Sequence, residues 1–317
     1  MFISRSPLRI SFFGGSTDYK DFYSKHGSLL IGTTINKYAF TGLRYRPRFL
    51  DRRTYVAYSN YDIVDDVEHI NNPLIRETLK YFNIFQHIDL ITFNDIPSRT
   101  GLGGSSSFCV SLIHSIYKLL NKPVDINTII KQAIDIERNV LKDSGGIQDQ
   151  IWAGYGGLNS IVIKINGKFL VKPLPISKEF ISEFKQSLTL IYTNIQRDTS
   201  EIAKSHENID KTGLLDIAKE GLKCFSNEDV EGIGKLIKNS WEEKRKISDL
   251  ISTGEVDTII SNVLDNGAYG AKLLGSGGCG FICVVGPSKA INKINHIYKD
   301  RVLNFEFDKE GSQTVLS

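Results

Sequence analysis

Residues 97–107 read Pro-Ser-Arg-Thr-Gly-Leu-Gly-Gly-Ser-Ser-Ser, and no other stretch constrains this chain as strongly. Residues 88–93, just before it, are aromatic and β-branched, which predicts a strand. From 105 to 120, Phe108, Leu112, Ile116 and Leu119 fall on one helical face, and Asn121-Lys122-Pro123 stops the helix. Strand, glycine loop, helix is an arrangement that binds phosphate. Glycines let the backbone approach closely and aim several N–H groups at one point, while the helix N-terminus adds partial positive charge. Serine hydroxyls can contact phosphate oxygens or a magnesium ion. The segment has neither the Gly-Lys-Ser/Thr ending of a Walker loop nor the spacing of a dinucleotide fingerprint. A flexible Gly/Ser linker is the alternative reading, but the amphipathic helix that follows directly favours a phosphate loop.

A second helix is expected from Asp125 to about Lys142, with Ile130, Ile134 and Leu141 in a stripe and Glu137 inside it. A carboxylate there must be paired, hydrogen-bonded or metal-bound; an edge position or an arginine partner would also satisfy it. Strands are expected at 2–4, 9–13, 54–59, 160–165, 187–193, 272–274 and 281–285. A strand pair is expected over 28–43, interrupted near Asn36 and Lys37, and Asn166-Gly167 reads as a hairpin turn. Residues 199–266 are mostly helical in pattern. A helix at 288–298 and a last strand at 301–307 end the chain. The Pro-containing stretch 172–175 marks a boundary, giving domains 1–172 and 173–317 and an α+β class.

The chain has 317 residues, enough for two cores. Its net charge of +3 is too small to argue for nucleic acid. There is no signal-peptide pattern at the start and no apolar run that could span a bilayer, so a cytoplasmic protein with no membrane partner is expected. Cys109, Cys224, Cys279 and Cys283 have no zinc spacing and read as reduced thiols. The six histidines show no metal spacing either, and Tyr19 and Trp152 read as packing residues.

Residues 97–107 resemble the central motif of the GHMP kinases, Pro-x3-Gly-Leu-Gly-Ser-Ser-Ala. They depart from it at Gly104 and Ser107, while Ser105 matches the second serine. Two flanking segments resemble the family's other motifs. Ser6-Pro7-Leu8-Arg9 through Gly14-Gly15-Ser16-Thr17-Asp18-Tyr19 is similar to the first, in its sugar-kinase form. Lys272-Leu-Leu-Gly275-Ser276-Gly277-Gly278-Cys279-Gly280 is similar to the third, a glycine loop that closes over the active site.

The resemblance implies the two-domain GHMP fold, a ribosomal-S5-like α/β domain followed by a ferredoxin-like α+β domain. It implies an ATP-dependent phosphotransferase that uses Mg2+. Gly101, Leu102, Gly103, Gly104, Ser105, Ser106 and Ser107 would then form the nucleotide loop. Ser105 and Glu137 would hold magnesium, with the division of work between Ser105 and Ser106 left open. Gly145-Gly146-Ile147-Gln148-Asp149-Gln150 is similar to a galactokinase segment, which makes Asp149 the catalytic carboxylate. Such a group can orient the acceptor hydroxyl and take its proton; alone, the residue would read as a turn cap. Arg9 matches the family's basic residue after the first proline and would neutralise charge beside Asp149; alone, it would read as a surface ion-pair arginine. Glu137-Arg138 resembles the Glu-Arg pair of mevalonate kinases, one residue further from Asp149.

Asp18 matches the family's sugar-contacting aspartate. Gly15 and Thr17 beside it, with Gly277 and Gly278, would complete the acceptor side. The combined motifs resemble the branch containing D-glycero-D-manno-heptose 7-phosphate kinases, which phosphorylate the anomeric oxygen on the way to GDP-heptose for surface polysaccharide. A sugar phosphate acceptor needs a second phosphate site. Arg197, between a strand and a helix in Thr193-Asn-Ile-Gln-Arg197-Asp-Thr199-Ser200, is the first candidate. The run Arg44, Arg46, Arg48, Arg52 and Arg53 is the second, with a solvated basic loop as its plainer reading. Fucose or another unphosphorylated hexose is an alternative acceptor. A non-catalytic ATP and sugar sensor and an ATP-dependent decarboxylase are alternative classes.

Overall fold

The computed structural model describes residues 1–47, 49, 51, 53–85, 87–195 and 200–316. The first half carries strands β1 (Phe2–Phe13), β2 (Ser28–Tyr45), β3 (Thr54–Ala57), β4 (Tyr61–Val64), β5 (Ile88–Asn94), β6 (Asn159–Ile163) and β7 (Phe169–Pro173). Its helices are α1 (Lys20–His26), α2 (Pro73–Tyr81), α3 (Gly104–Leu119), α4 (Ile126–Asp135) and α5 (Gln148–Tyr155). The second half carries β8 (Leu188–Tyr192), β9 (Gly270–Leu273), β10 (Phe281–Val285), β11 (Phe307–Asp308) and β12 (Gln313–Leu316). Its helices are α6 (Lys178–Gln186), α7 (Ser200–Ser205), α8 (Thr212–Ser226), α9 (Val230–Arg245), α10 (Gly254–Asp265) and α11 (Ser288–Ile297).

Among the described residues the strands form two sheets. The larger runs β12-β1-β2-β5-β3-β4, with β6 and β11 also on β2 and β7 beyond β6; the smaller is β8-β10-β9. The long β2 serves two neighbours in succession: residues 28–32 pair with β6, and 39–45 with β5. The breaks expected in β1 and β2 are absent, because a bulge absorbs them. Pro7 pairs with Tyr38 and Leu8 with Ile35, so Asn36 and Lys37 loop out opposite Pro7. Proline lacks the ladder donor, and a bulge is where that loss is tolerated. The bulge is anchored by Asn36, whose amide donates to the Glu306 carbonyl at 2.9 Å and whose side chain accepts from the Glu306 amide at 2.7 Å.

The strand expected at 301–307 is also different. A 3-10 turn occupies Lys299–Arg301, Val302 makes a single antiparallel bridge to Ile191 of β8, and Phe307–Asp308 pairs with β2. The following β12 pairs with β1, so the C-terminal segment returns to the first sheet. Three helices, α8 to α10, and the short α7 account for the helical pattern expected up to residue 266, and α11 is the helix expected at 288–298.

Leu43 and Leu90 of the large sheet pack against Val110, Leu112 and Ile113 of α3, with α2 and α4 closing that layer. A second core joins the two halves. Phe12 and Phe13 of β1 meet Phe184 of α6 and Phe225 of α8, with the Phe12 and Phe184 rings 5.3 Å apart edge to face. Truncating such a buried ring to alanine costs ~3–5 kcal/mol. This aromatic floor holds β1, which carries Arg9, against α6 and α8.

Candidate active site

The glycine loop opens α3. Gly101 and Gly103 have φ of +79° and +77°, in the left-handed region that excludes most side chains. Gly103 is the N-cap of α3 and supplies no capping side chain. The first intrahelical bond runs from the Ser107 amide to the Gly103 carbonyl. The amides of Gly104, Ser105 and Ser106 therefore have no helical acceptor and are free for an anion. Gly101 also packs against the third glycine segment: a Cβ on it would come within 2.6 Å of the Leu274 carbonyl oxygen.

Arg9 ties this loop to Asp149. Its Nε and Nη2 donate to the two Asp149 carboxylate oxygens, each at 2.8 Å, and its Nη1 donates to the Gly101 carbonyl. The Arg9 side chain is 5% exposed and Asp149 is 23% exposed, so this is a bidentate pair at a cleft wall and not a surface ion pair. Asp149 lies in the first turn of α5, not in a loop. A Cβ on Gly103 would sit 3.3 Å from the Asp149 Oδ2, which puts phosphate loop and carboxylate in contact.

Glu137 is buried. It accepts from Ser106 Oγ at 3.1 Å and from Gln150 Nε2 at 2.5 Å. Burial pushes its carboxyl pKa up, while Arg138 and the two donors pull it back. It stands in a π turn, Ile136–Val140, that interrupts the expected helix. A π turn takes up one residue more than an α turn, on the stretch where the spacing to Asp149 is one residue longer. Ser106, not the exposed Ser105, is the serine in contact with Glu137.

Asp18 is buried at the other end of the cleft. Its carboxylate accepts from the Ser16 amide at 3.1 Å, the Gln148 amide at 3.0 Å and Gln148 Nε2 at 3.2 Å. Burial drives its pKa up, opposed by the Gln148 amide. Gly146 makes this contact possible: a Cβ there would lie 1.7 Å from the Asp18 Oδ2. Asp18 therefore fixes the segment that leads into Asp149.

These groups share one cleft of about 610 Å³. Of the expected residues, Arg9, Gly15, Asp18, Gly101, Gly103, Gly104, Ser105, Ser106, Glu137, Asp149 and Gly277 line it. Others serve the fold around it. Leu102 is in the core, and its carbonyl accepts from the Arg9 amide at 3.0 Å. The Ser107 hydroxyl donates to the Pro7 carbonyl at 2.8 Å. The Thr17 hydroxyl is within 2.6 Å of both the Gly14 carbonyl and Ser28 Oγ. The Gly278 amide donates to the Ile251 carbonyl at 2.8 Å. Arg197 lies outside the described residues, as do Arg48 and Arg52. Arg44 and Arg46 both pair with Asp89 at 2.7 Å, and Arg53 pairs with Asp51 at 3.0 Å; none of the three lines the cleft.

Sequence reasoning passed over several lining groups. Arg138 braces the loop before Asp149, donating to the Asp143 and Gly146 carbonyls at 3.0 and 3.1 Å. His206, which does not itself line the cleft, contacts the Ser276 carbonyl at 2.8 Å, stacks on the lining Tyr19 and is held near pKa 4, chiefly by burial. Lys244 and Lys272 are buried in the wall. Only Lys272, which opens the third glycine motif, and Arg138, which follows Glu137, had a signal in the pattern.

The arrangement fits the expected ligands. Free amides at the start of α3 suit a phosphate chain. Magnesium takes oxygen ligands and few carboxylates, which Glu137 with Ser106 or Ser105 supplies. Comparison with known proteins bears on the family. The profile "GHMP kinases N terminal domain" matches residues 70–157, and "GHMP kinases C terminal" matches 222–300. A D-glycero-alpha-D-manno-heptose 7-phosphate kinase of Campylobacter jejuni is 30% identical over 97% of each chain. Two solved structures share the fold. A D-glycero-D-manno-heptose 1-phosphate kinase from Bacteroides thetaiotaomicron has a TM-score of 0.80 at 23% identity, over 99% of this chain and 98% of that one. The galactokinase of Lactococcus lactis, complexed with galactose, has a TM-score of 0.75 at 17% identity, over 100% and 95%. Three motifs in one cleft and a relative matched from end to end make this chain a member of the GHMP kinase family.

Proposed function

We propose that this kinase transfers the terminal phosphoryl group of ATP to the anomeric hydroxyl of a sugar phosphate, with D-glycero-D-manno-heptose 7-phosphate as first choice. The product would be the 1,7-bisphosphate, a precursor of GDP-heptose for surface polysaccharide. The observation that carries the reading is the contact between the glycine loop and the Arg9–Asp149 pair. A phosphoryl group on the free amides of residues 104–106 would then lie beside the carboxylate. The 30% identical relative of that name supports the choice of acceptor.

In this reading Asp18 accepts hydrogen bonds from sugar hydroxyls. Each Asp149 oxygen keeps a lone pair beyond its bond to Arg9, and accepts the proton of the attacking hydroxyl as the new P–O bond forms and the bond to ADP breaks. Arg9 holds the carboxylate in place and offsets negative charge in the transition state. Magnesium, when bound through Glu137 and Ser105 or Ser106, supplies charge neutralisation to the phosphates. We place the acceptor between segments 1–172 and 173–317, taken as the two domains, and the enzyme in the cytoplasm with its nucleotide donor. Among the described residues no helix is long and apolar enough to cross a membrane. The test is product analysis by phosphorus NMR after incubation with ATP and a panel of sugars and sugar phosphates. A new anomeric phosphate on the heptose 7-phosphate is expected. Preference for fucose or another unphosphorylated hexose would overturn the choice of acceptor, and ligand binding without ADP formation would overturn catalysis.

A further inference from the structure

Four polar side chains in the cleft have no part in the chemistry above. Ser11 of β1, Lys272 of β9, and Ser240 and Lys244 one turn apart on α9 line it from three elements, and all four are buried. Lys272 Nζ donates to the Phe12 carbonyl at 2.7 Å. Lys244 Nζ donates to the carbonyls of Leu273 and Gly275. Among the described residues neither ammonium has a carboxylate at ion-pair distance, and the charges that act on Lys244 are those of Lys272 and Arg9, both positive. The Ser11 hydroxyl, 7% exposed as a residue, has no hydrogen-bond partner among them.

Burying like charges without a counter-charge is costly, and a fold that does so at a cleft wall is poised for an anion. An ammonium has three N–H donors. Lys272 uses one and Lys244 two, which leaves three N–H bonds and the Ser11 hydroxyl to face a ligand. The set offers N–H donors on two lysines whose burial beside each other and beside Arg9 disfavours their charge until an anion offsets it, and no carboxylate. It also adjoins the phosphate machinery: Lys272 is tied to Phe12, three residues along β1 from Arg9, and Lys244 to Gly275, whose added Cβ would meet Gly101 Cα at 2.5 Å.

We propose that Ser11, Ser240, Lys244 and Lys272 form a subsite for a phosphoryl dianion. This rests on the reading as a kinase of phosphorylated sugars, which provides two sources: the ester already on the acceptor and the nucleotide's terminal phosphoryl group. The alternative is that both lysines only brace the third glycine segment.

The experiment uses the full chain with Lys272→Met, Lys244→Met and Ser11→Ala. Inorganic phosphate is the first probe, read by thermal shift. The ligand-free melting temperature of the lysine variants should equal or exceed that of the wild type, and their phosphate-induced rise should be lost. ATP and heptose 7-phosphate are the second probes, in steady state. A KM at least about tenfold higher for one of them, with the other changed less than about threefold, supports the subsite and names its source. Equal changes in both KM values with a lowered melting temperature would show bracing and overturn the proposal. Ser11→Ala keeps the test readable if the methionine variants do not fold, since its hydroxyl supports no contact in the fold; unchanged affinity for phosphate and both substrates would overturn the proposal. Wild-type protein that phosphorylates no sugar defeats the functional reading alone, because the phosphate titration still reports on the subsite.

Discussion

Asp149→Asn separates two effects that the Arg9–Asp149 pair combines. The substitution keeps the shape, removes one charge and turns an N–H donor group toward a guanidinium that is almost wholly buried. Breaking a fully buried ion pair costs ~3–5 kcal/mol. Asp149 is 23% exposed, and the amide oxygen still accepts one bond, so a loss of ~1–2 kcal/mol is the discounted figure. In a chain of this size that is a fall in Tm of only a few degrees. The catalytic loss should be larger. Without a carboxylate to orient the acceptor hydroxyl and take its proton, turnover should fall at least about a hundredfold, or ~2.7 kcal/mol of barrier. The assay pairs thermal unfolding with ADP release at saturating substrates and titration with a non-hydrolysable ATP analogue. Nucleotide affinity should stay within about threefold of wild type. Arg9→Met should be grossly non-additive with Asp149→Asn, since the two act as one unit. Turnover within a factor of about three of wild type, at intact nucleotide affinity, would refute the assignment of Asp149.

Three further outcomes are expected. Asp18→Asn should raise the acceptor KM about tenfold or more and leave the nucleotide KM nearly unchanged; equal effects on both would show that it acts only through the Gln148 segment. Ser106→Ala should raise the half-saturating magnesium concentration, because it removes the hydroxyl bound to Glu137. Ser105→Ala should do so less, and identical magnesium curves for both variants and wild type would remove the serines from the metal site. Burial, opposed by Cys283 and reinforced by Arg9, lowers the Lys272 pKa from 10.5 to about 8. Between those two values the unfolded chain binds more protons than the folded one, so stability rises with pH across that window, by up to ~3 kcal/mol. Urea unfolding at pH 7.5 and 10 should show this rise in wild type and lose it in Lys272→Met. Parallel behaviour of the two proteins would contradict a charged, buried Lys272.

The elements whose signals are local were legible. The helix after the glycine loop, the hairpin at Asn166-Gly167 and the strand around Cys283 follow from periodicity and turn residues that act within a few positions. The merged β1 and β2 were not, because Pro7, Asn36 and Lys37 look like strand breakers singly and form a bulge only when they face one another. The return of β12 to β1 joins residues about three hundred positions apart, which no local pattern encodes. In the site, the glycines were legible because a left-handed backbone demands that residue type, while Asp149 stood out only through the resemblance of residues 145–150 to a galactokinase segment and alone read as a turn cap. The Ser106–Glu137 contact depends on the phase of a π turn. Lys244 sits in an ordinary amphipathic helix, where only the packing of α9 on the third glycine segment makes its ammonium a wall of the cleft.

A crystal structure with a non-hydrolysable ATP analogue, magnesium and the sugar phosphate measures the central claim directly. The account predicts the triphosphate on the amides of Gly104, Ser105 and Ser106, with the acceptor's anomeric hydroxyl about 2.6–3.2 Å from an Asp149 oxygen. A triphosphate bound elsewhere, or an anomeric hydroxyl turned away from Asp149, would contradict it.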